Sequence, residues 1–268
     1  MRQSKLQHFA RLGYAARGVV YLLVGGMAFL AALGRGGDTT DSKGALITLL
    51  SQPFGAMLLG AVALGLFCFA AWRVAQSFTD ADILGTKPTA LLRRAGFLVS
   101  AFVNAGLALS ALQIAIGNVA PSGSEDKATQ DWTAYLMSMP FGQWLVGAVG
   151  LTIAGVGIGM IGKAWKASFE KHLLIDAETR RWVRPVGRAG YMARSLTFLI
   201  IGQFLCMAAL HARAGEAQGL GGALQTLQEQ PYGWIILTVT GAGLFAFGFF
   251  QLVVARYRRI NVPDISLV

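Results

Sequence analysis

The sequence predicts an all-α membrane protein. Six transmembrane helices form three tandem two-helix repeats with pseudo-threefold symmetry about the membrane normal, and short amphipathic helices occupy the outer loops. Three observations lead there: six long apolar runs, a one-sided distribution of basic residues, and a unit written three times. The chain of 268 residues is 54% hydrophobic and only 13% charged, against about 25% charged in a typical soluble domain. The apolar runs lie at 18–34, 54–72, 95–117, 141–162, 195–212 and 232–255. A hydrocarbon core of about 30 Å takes about 20 residues of helix, so each run is one span. A membrane barrel would alternate polar and apolar residues over ~10-residue segments, and these runs do not.

Orientation follows from charge. Six spans put both termini on one side. That side, with the connections after spans two and four, carries nineteen of the 23 Lys and Arg. The three outer loops hold only Arg35, Lys43, Lys127 and Arg213, beside seven of the 13 carboxylates. The positive-inside rule then predicts that both termini are cytoplasmic. The net charge of +10 is accounted for by orientation and by contact with anionic membrane lipids; no nucleic-acid partner is expected.

Each unit begins with a basic-aromatic entry: "ARLGYAARG" from Ala10, "RRAGFLVSA" from Arg93 and "GRAGYMARS" from Gly187. A span follows, then an outer loop, then a Pro-aromatic-Gly turn that opens the second span. The loops "GALITLLSQPFG" (44–55) and "GALQTLQEQPYG" (222–233) are near copies. The middle turn is "SMPFG", which makes Pro53, Gly55, Pro140, Gly142, Pro231 and Gly233 the repeat-turn residues. Within one domain, 1–268, the repeats span 9–82, 92–171 and 186–260. Two helices per unit return the chain to the same side, so the copies are related by an axis along the membrane normal. The amino-terminal stretch could pass for a signal peptide, but its motif returns before span five, where no signal peptide stands.

These motifs ("GYAARGVVYLLVGG", "GRAGYMARS", the "QP(F/Y)G" turn and the closing "ARYRRI") resemble a family of bacterial membrane proteins known as domain-of-unknown-function family 1206, a two-span unit usually found in triplicate. The resemblance covers nearly the whole chain. It implies the fold and a location in the bacterial cytoplasmic (inner) membrane, and supplies no catalytic residues.

At helical spacing the entry motifs place Arg11, Tyr14, Arg17 and Tyr21 on one face. Arg188, Tyr191, Arg194 and Phe198 do the same in the third repeat, and Arg94, Phe97, Ser100 and Asn104 in the second. Two readings are open. The stripes are interfacial anchors, with Arg snorkelling and Tyr at headgroup depth. Or they form a collar that holds an anion or lipid phosphate, with Arg11, Tyr14, Arg17, Arg94, Asn104, Arg188, Tyr191 and Arg194 as contacts. In the outer loops, Ala45, Leu46 and Leu49, matched by Ala223, Leu224 and Leu227, read as amphipathic interfacial helices. The turn proline suits the first turn of the next helix. The glycine-rich fourth span suggests a tightly packed, central helix, with Gly147, Gly155 and Gly159 as contact points. Cys68 and Cys206 read as packing residues.

Enzyme chemistry finds no constellation. The carboxylates lie outside the spans, and His8, His172 and His211 are far apart. "GIGMIGKA" (157–164) mimics a phosphate-binding loop but sits inside a span without a preceding strand. No metal or cofactor is expected. The sequence therefore reads as a non-catalytic scaffold or accessory subunit with a membrane protein partner. The alternative is a transporter or channel for a small or anionic solute along the pseudo-threefold axis.

Overall fold

A computed structural model describes residues 2–34, 39–79, 81, 85, 87–117 and 125–258. Arg35 and the repeat limits at 82 and 260 lie outside the described residues. The helices are α1 (Arg2–Ala32), α2 (Ser42–Leu50), α3 (Gly55–Thr79), α4 (Pro88–Ala115), α5 (Glu125–Met137), α6 (Gly142–Trp165), α7 (Ala177–His211), α8 (Leu220–Glu229) and α9 (Gly233–Tyr257). α1, α3, α4, α6, α7 and α9 are long and apolar enough to span a membrane, and α2, α5 and α8 are the loop helices. No strand occurs among the described residues, only an isolated bridge between Leu173 and Arg258.

The entry helices reach further than the apolar runs. α7 starts at Ala177, where Asp176 accepts a hydrogen bond from the Thr179 N–H (3.3 Å), and passes through Pro185. The 164–185 connection is therefore partly helix. Its "ETRRWVR" residues favour helix, and the missing Pro185 N–H removes one bond without ending it.

The three turns are built alike. Phe54, Phe141 and Tyr232 adopt the left-handed conformation, with φ of 62°, 61° and 60°. The next glycine donates its N–H to the residue three back: Gly55 to Gln52 O (2.9 Å), Gly142 to Met139 O (2.9 Å) and Gly233 to Gln230 O (2.7 Å). A Cβ on these glycines would fall 2.1, 2.1 and 2.0 Å from the Leu50, Leu136 and Gln228 carbonyl oxygens, so only glycine fits. Pro53, Pro140 and Pro231 precede the helices, which begin at the glycines. The proline thus shapes the approach to the turn instead of the first helical turn.

The spans pack in the order α4–α3–α1–α9–α7–α6. Successive repeats meet through three intimate pairs, α3 with α4, α6 with α7, and α9 with α1. Glycines carry these approaches: a Cβ at Gly25 would sit 2.3 Å from Phe245 N, and one at Gly241 2.7 Å from Phe29 N. Within repeats, α1 packs on α3 and α7 on α9, but α4 and α6 do not pack on one another. The order is an arc with its open seam in the middle repeat. Lys163 on α6 lies within electrostatic reach of Arg93 on α4 and Arg73 on α3.

This arrangement corrects the expectation for the fourth span. α6 stands at an end of the arc, buried only along Gly142, Val146, Gly150, Gly157 and Ala164. Gly150 and Gly157 are the close approaches to α7, at 2.9 Å from Cys206 Sγ and 3.1 Å from Ser195 O. Gly147 makes an ordinary 3.6 Å contact with Ala209, while a Cβ at Gly155 or Gly159 would meet nothing within 4 Å. Those two glycines lie off the stripe that faces α7.

At the loop end, Ala45, Leu46, Leu49, Leu224 and Leu237 join Val20, Val24, Ala28, Leu59, Ala108 and Ala111 in one core. The helix N-termini are clasped across repeats. Asp41 caps α2 through the Gly44 N–H (2.7 Å) and also accepts the Glu125 N–H (2.5 Å). Asp126 accepts the Gly219 N–H (2.6 Å) ahead of α8.

Candidate functional site

The entry stripes divide into two sets. The first arginine of each unit lies at the helix ends. Arg94 donates from Nε to Ser77 O (2.6 Å) and from Nη2 to Phe78 O (3.2 Å), the last carbonyls of α3. Arg188 donates to Trp165 O (3.0 Å) at the end of α6. Orphan carbonyls at a helix C-terminus carry partial negative charge, so these arginines fasten each repeat to the one before. Arg11 is exposed. None of these three belongs to an interior collar.

The aromatic position belongs to the core. Tyr14 is 2% exposed, lies edge-on to Phe69 (5.3 Å), and its hydroxyl accepts a hydrogen bond from Arg258. Tyr191 stacks on Phe169 (5.3 Å, 17°) and meets Phe247 and Phe250 edge-on. Headgroup-depth anchoring does not describe them. Asn104 is also buried, but its Nδ2 donates to the Ser100 carbonyl (2.7 Å) of its own helix.

The second arginine turns inward. Arg17 is 7% exposed, with its guanidinium carbon 4.9 Å from the Phe69 ring centroid and 5.6 Å from that of Tyr21. Arg194 also lies over Tyr21 (5.2 Å), against Phe247 (4.8 Å) and Phe198 (5.0 Å). Its Nε is buried without a hydrogen-bond partner. Neither arginine pairs with a carboxylate among the described residues. Arg73 joins them from α3, 4.9 Å from Phe69 and 5.0 Å from Phe97, with Nη1 on Gln76 Oε1 (3.2 Å). Lys163 faces the same region, within electrostatic reach of Arg73, Arg93, Arg194 and Arg258.

Arg73, Lys163 and Gln251 lie near these arginines and were missed by the stripe argument, which did include Tyr21. Arg73 and Lys163 look like flanking positive-inside charges because each ends an apolar run. A signal was available: Gln251 stands 178 residues after Arg73, the offset between the copied loops, so the two occupy one repeat position. Gln251 is 4% exposed. The site is lopsided, with Arg17 and Arg73 from the first repeat, Arg194 and Gln251 from the third, and Ser100 in the second where the others carry arginine.

Charge of opposite sign waits at the loop end. Glu125 faces the Ser42 hydroxyl and backbone and lies within electrostatic reach of Tyr21. Burial, reinforced by the neighbouring Asp41 carboxylate, pushes its carboxyl up to about 7. Tyr21 thus separates paired arginines from a carboxyl able to change charge near neutral pH.

The geometry is chemically plain. Two guanidiniums about 11 Å apart or less, both over one ring, repel by about 1.5 kcal/mol at an effective dielectric of 20. Ring faces return about 0.5–2 kcal/mol each. Desolvating a charge costs several kcal/mol, so the rings offset only part. A bound oxyanion would supply the rest through charge-assisted hydrogen bonds.

Comparison with known proteins agrees with the threefold architecture. The family described as Domain of Unknown Function (DUF1206) matches at residues 12–80, 95–167 and 189–258. The chain is similar to the uncharacterized protein YxxB of Bacillus subtilis (strain 168), 34% identical over 259 residues, which covers 96% of this chain and 92% of that one. No solved structure matches. Three matches in register with the three hairpins mean that the chain belongs to the DUF1206 family, as a multi-pass helical membrane protein carrying the unit three times.

Proposed function

We propose that this is a non-enzymatic binding protein of the bacterial cytoplasmic membrane, both termini cytoplasmic, which takes a phosphate-type oxyanion at Arg17, Arg73 and Arg194. One observation carries the reading: buried Arg17 and half-buried Arg194 both lie over the Tyr21 ring, with no carboxylate partner among the described residues. The scaffold expectation rested on spans free of charge, and the interior arginines remove that ground. Orientation rests on the basic asymmetry, which puts the arginine end toward the cytoplasm.

The test uses delipidated protein in a neutral detergent. Inorganic phosphate should raise the melting temperature saturably, since a ligand at about 100 times its Kd stabilises by about 2.7 kcal/mol. Arg17→Gln with Arg194→Gln should abolish that rise while the protein remains monodisperse. No rise in the parent, or an equal rise in the double variant, sinks the proposal.

A further inference from the structure

The seam between α4 and α6 has a cause in the sequence. In the closed hairpins a glycine of the even span meets an alanine of the odd span. A Cβ on Gly65 would lie 2.4 Å from Ala16 Cβ, and one on Gly243 2.4 Å from Ala193 Cβ. A second glycine lets the odd span reach the partner backbone: Gly13 at 2.6 Å from Phe69 Cα, Gly190 at 2.6 Å from Phe247 Cα. The repeat offsets carry Gly65 and Gly243 onto Thr152, and Ala16 and Ala193 onto Val99. The middle hairpin thus sets a threonine against a valine where the others have no room for a single added carbon. Overpacking of that kind is costly, so the middle hairpin could not close as its neighbours do without a clash. Gly96 keeps the repeat glycine, yet a Cβ there would meet nothing within 4 Å. Val99 is 64% and Val156, at the position of Phe69 and Phe247, 44% exposed.

Position gives the open face a meaning. Thr152, Val156 and Gly159 form the side of α6 that its hairpin partner covers in the other repeats. At the terminal end of the same helix stands Lys163, within reach of Arg93 across the seam and of Arg73 and Arg194 inside. The uncovered apolar side of α6 thus runs toward a cationic site. A free anion has no use for such a surface; an anion carrying acyl chains does.

We infer that the middle hairpin is a lateral portal through which an anionic phospholipid enters, its phosphate at Arg17, Arg73 and Arg194 and an acyl chain between α4 and α6. The inference rests on the oxyanion reading and names the ligand class. The sequence builds the portal open, with no conformational change required, and the second repeat lacks the arginine that would crowd the entrance.

Two variants act on the seam and leave the arginines alone. Val99→Ala with Thr152→Gly restores the small pair and lets the seam close. Gly159→Trp fills the seam where nothing stands within 4 Å. Each protein is equilibrated with nanodiscs of phosphatidylglycerol and phosphatidylcholine, extracted and examined by native mass spectrometry. The parent should retain phosphatidylglycerol over phosphatidylcholine, and both variants should lose about tenfold of that retention yet keep stabilisation by inorganic phosphate. Undiminished retention in both variants overturns the portal and leaves the arginine site standing. A parent stabilised by phosphate but retaining no lipid also overturns it. A dimer trapped by cross-linking a cysteine at Thr152 to its copy would show that a second chain covers the seam. If the parent neither retains lipid nor responds to phosphate, the site itself fails.

Discussion

Glycines in this bundle divide sharply between contact and open space, and a matched pair of substitutions measures the difference. At Gly25 an added Cβ would stand 2.3 Å from Phe245 N and 2.8 Å from Gly241 O. Both are backbone atoms of α9, so relief requires the α1–α9 pair to separate along its length. Overpacking typically costs about 1–3 kcal/mol. Replacing a helical glycine with alanine returns up to about 1 kcal/mol of propensity, and the net loss for Gly25→Ala is about 1–2 kcal/mol. For a chain of this size that lowers the melting temperature by about 2–8 °C. Gly155→Ala makes no new contact and keeps the propensity gain, so it should melt at or above the parent. Thermal unfolding in one detergent, followed by tryptophan fluorescence, compares the two directly. A Gly155→Ala protein as destabilised as Gly25→Ala would refute the placement of α6 at the end of the arc. An unaffected Gly25→Ala would refute the backbone approach of α1 and α9.

Glu125 should make stability fall as pH rises. Its carboxyl is raised from an ordinary 4.5 to about 7, so the fold binds the proton more tightly than the unfolded chain. Its contribution is harmless below 4.5, turns unfavourable between 4.5 and 7, and stays so above. At about 1.4 kcal/mol per pH unit, with solvent screening a half-buried group, Glu125→Gln should gain about 1–2 kcal/mol over the parent at pH 8 and nothing at pH 4; an equal gain at both would exclude titration of Glu125. Orientation is checked by single cysteines in a protein lacking Cys68 and Cys206: one at Ser138 should react with an impermeant reagent in intact cells and one at Glu178 should not, and the reverse pattern would invert the assignment.

The sequence by itself determined the six spans, the three hairpins and the turns. Each rests on local chemistry: run length against bilayer thickness, charge against membrane side, and a glycine that cannot carry a Cβ beside a carbonyl. It also marked Arg17 and Arg194 as equivalent, and set Ser100 apart from them. Tertiary structure alone decided what those residues face. Arg94 and Arg17 lie on corresponding stripes of two repeats and share a chemistry, yet one caps α3 while the other lies over Phe69 and Tyr21, because depth along the bundle separates a helix end from an interior. Arg73 and Lys163 looked like flanking charge for the same reason. Gly150 and Gly155 belong to one glycine-rich run, and only the neighbour on each side of α6 distinguishes a contact from an open face. Thr152 and Val99 lie in different helices. Whether two such side chains fit depends on the distance between backbones, which no single helix specifies.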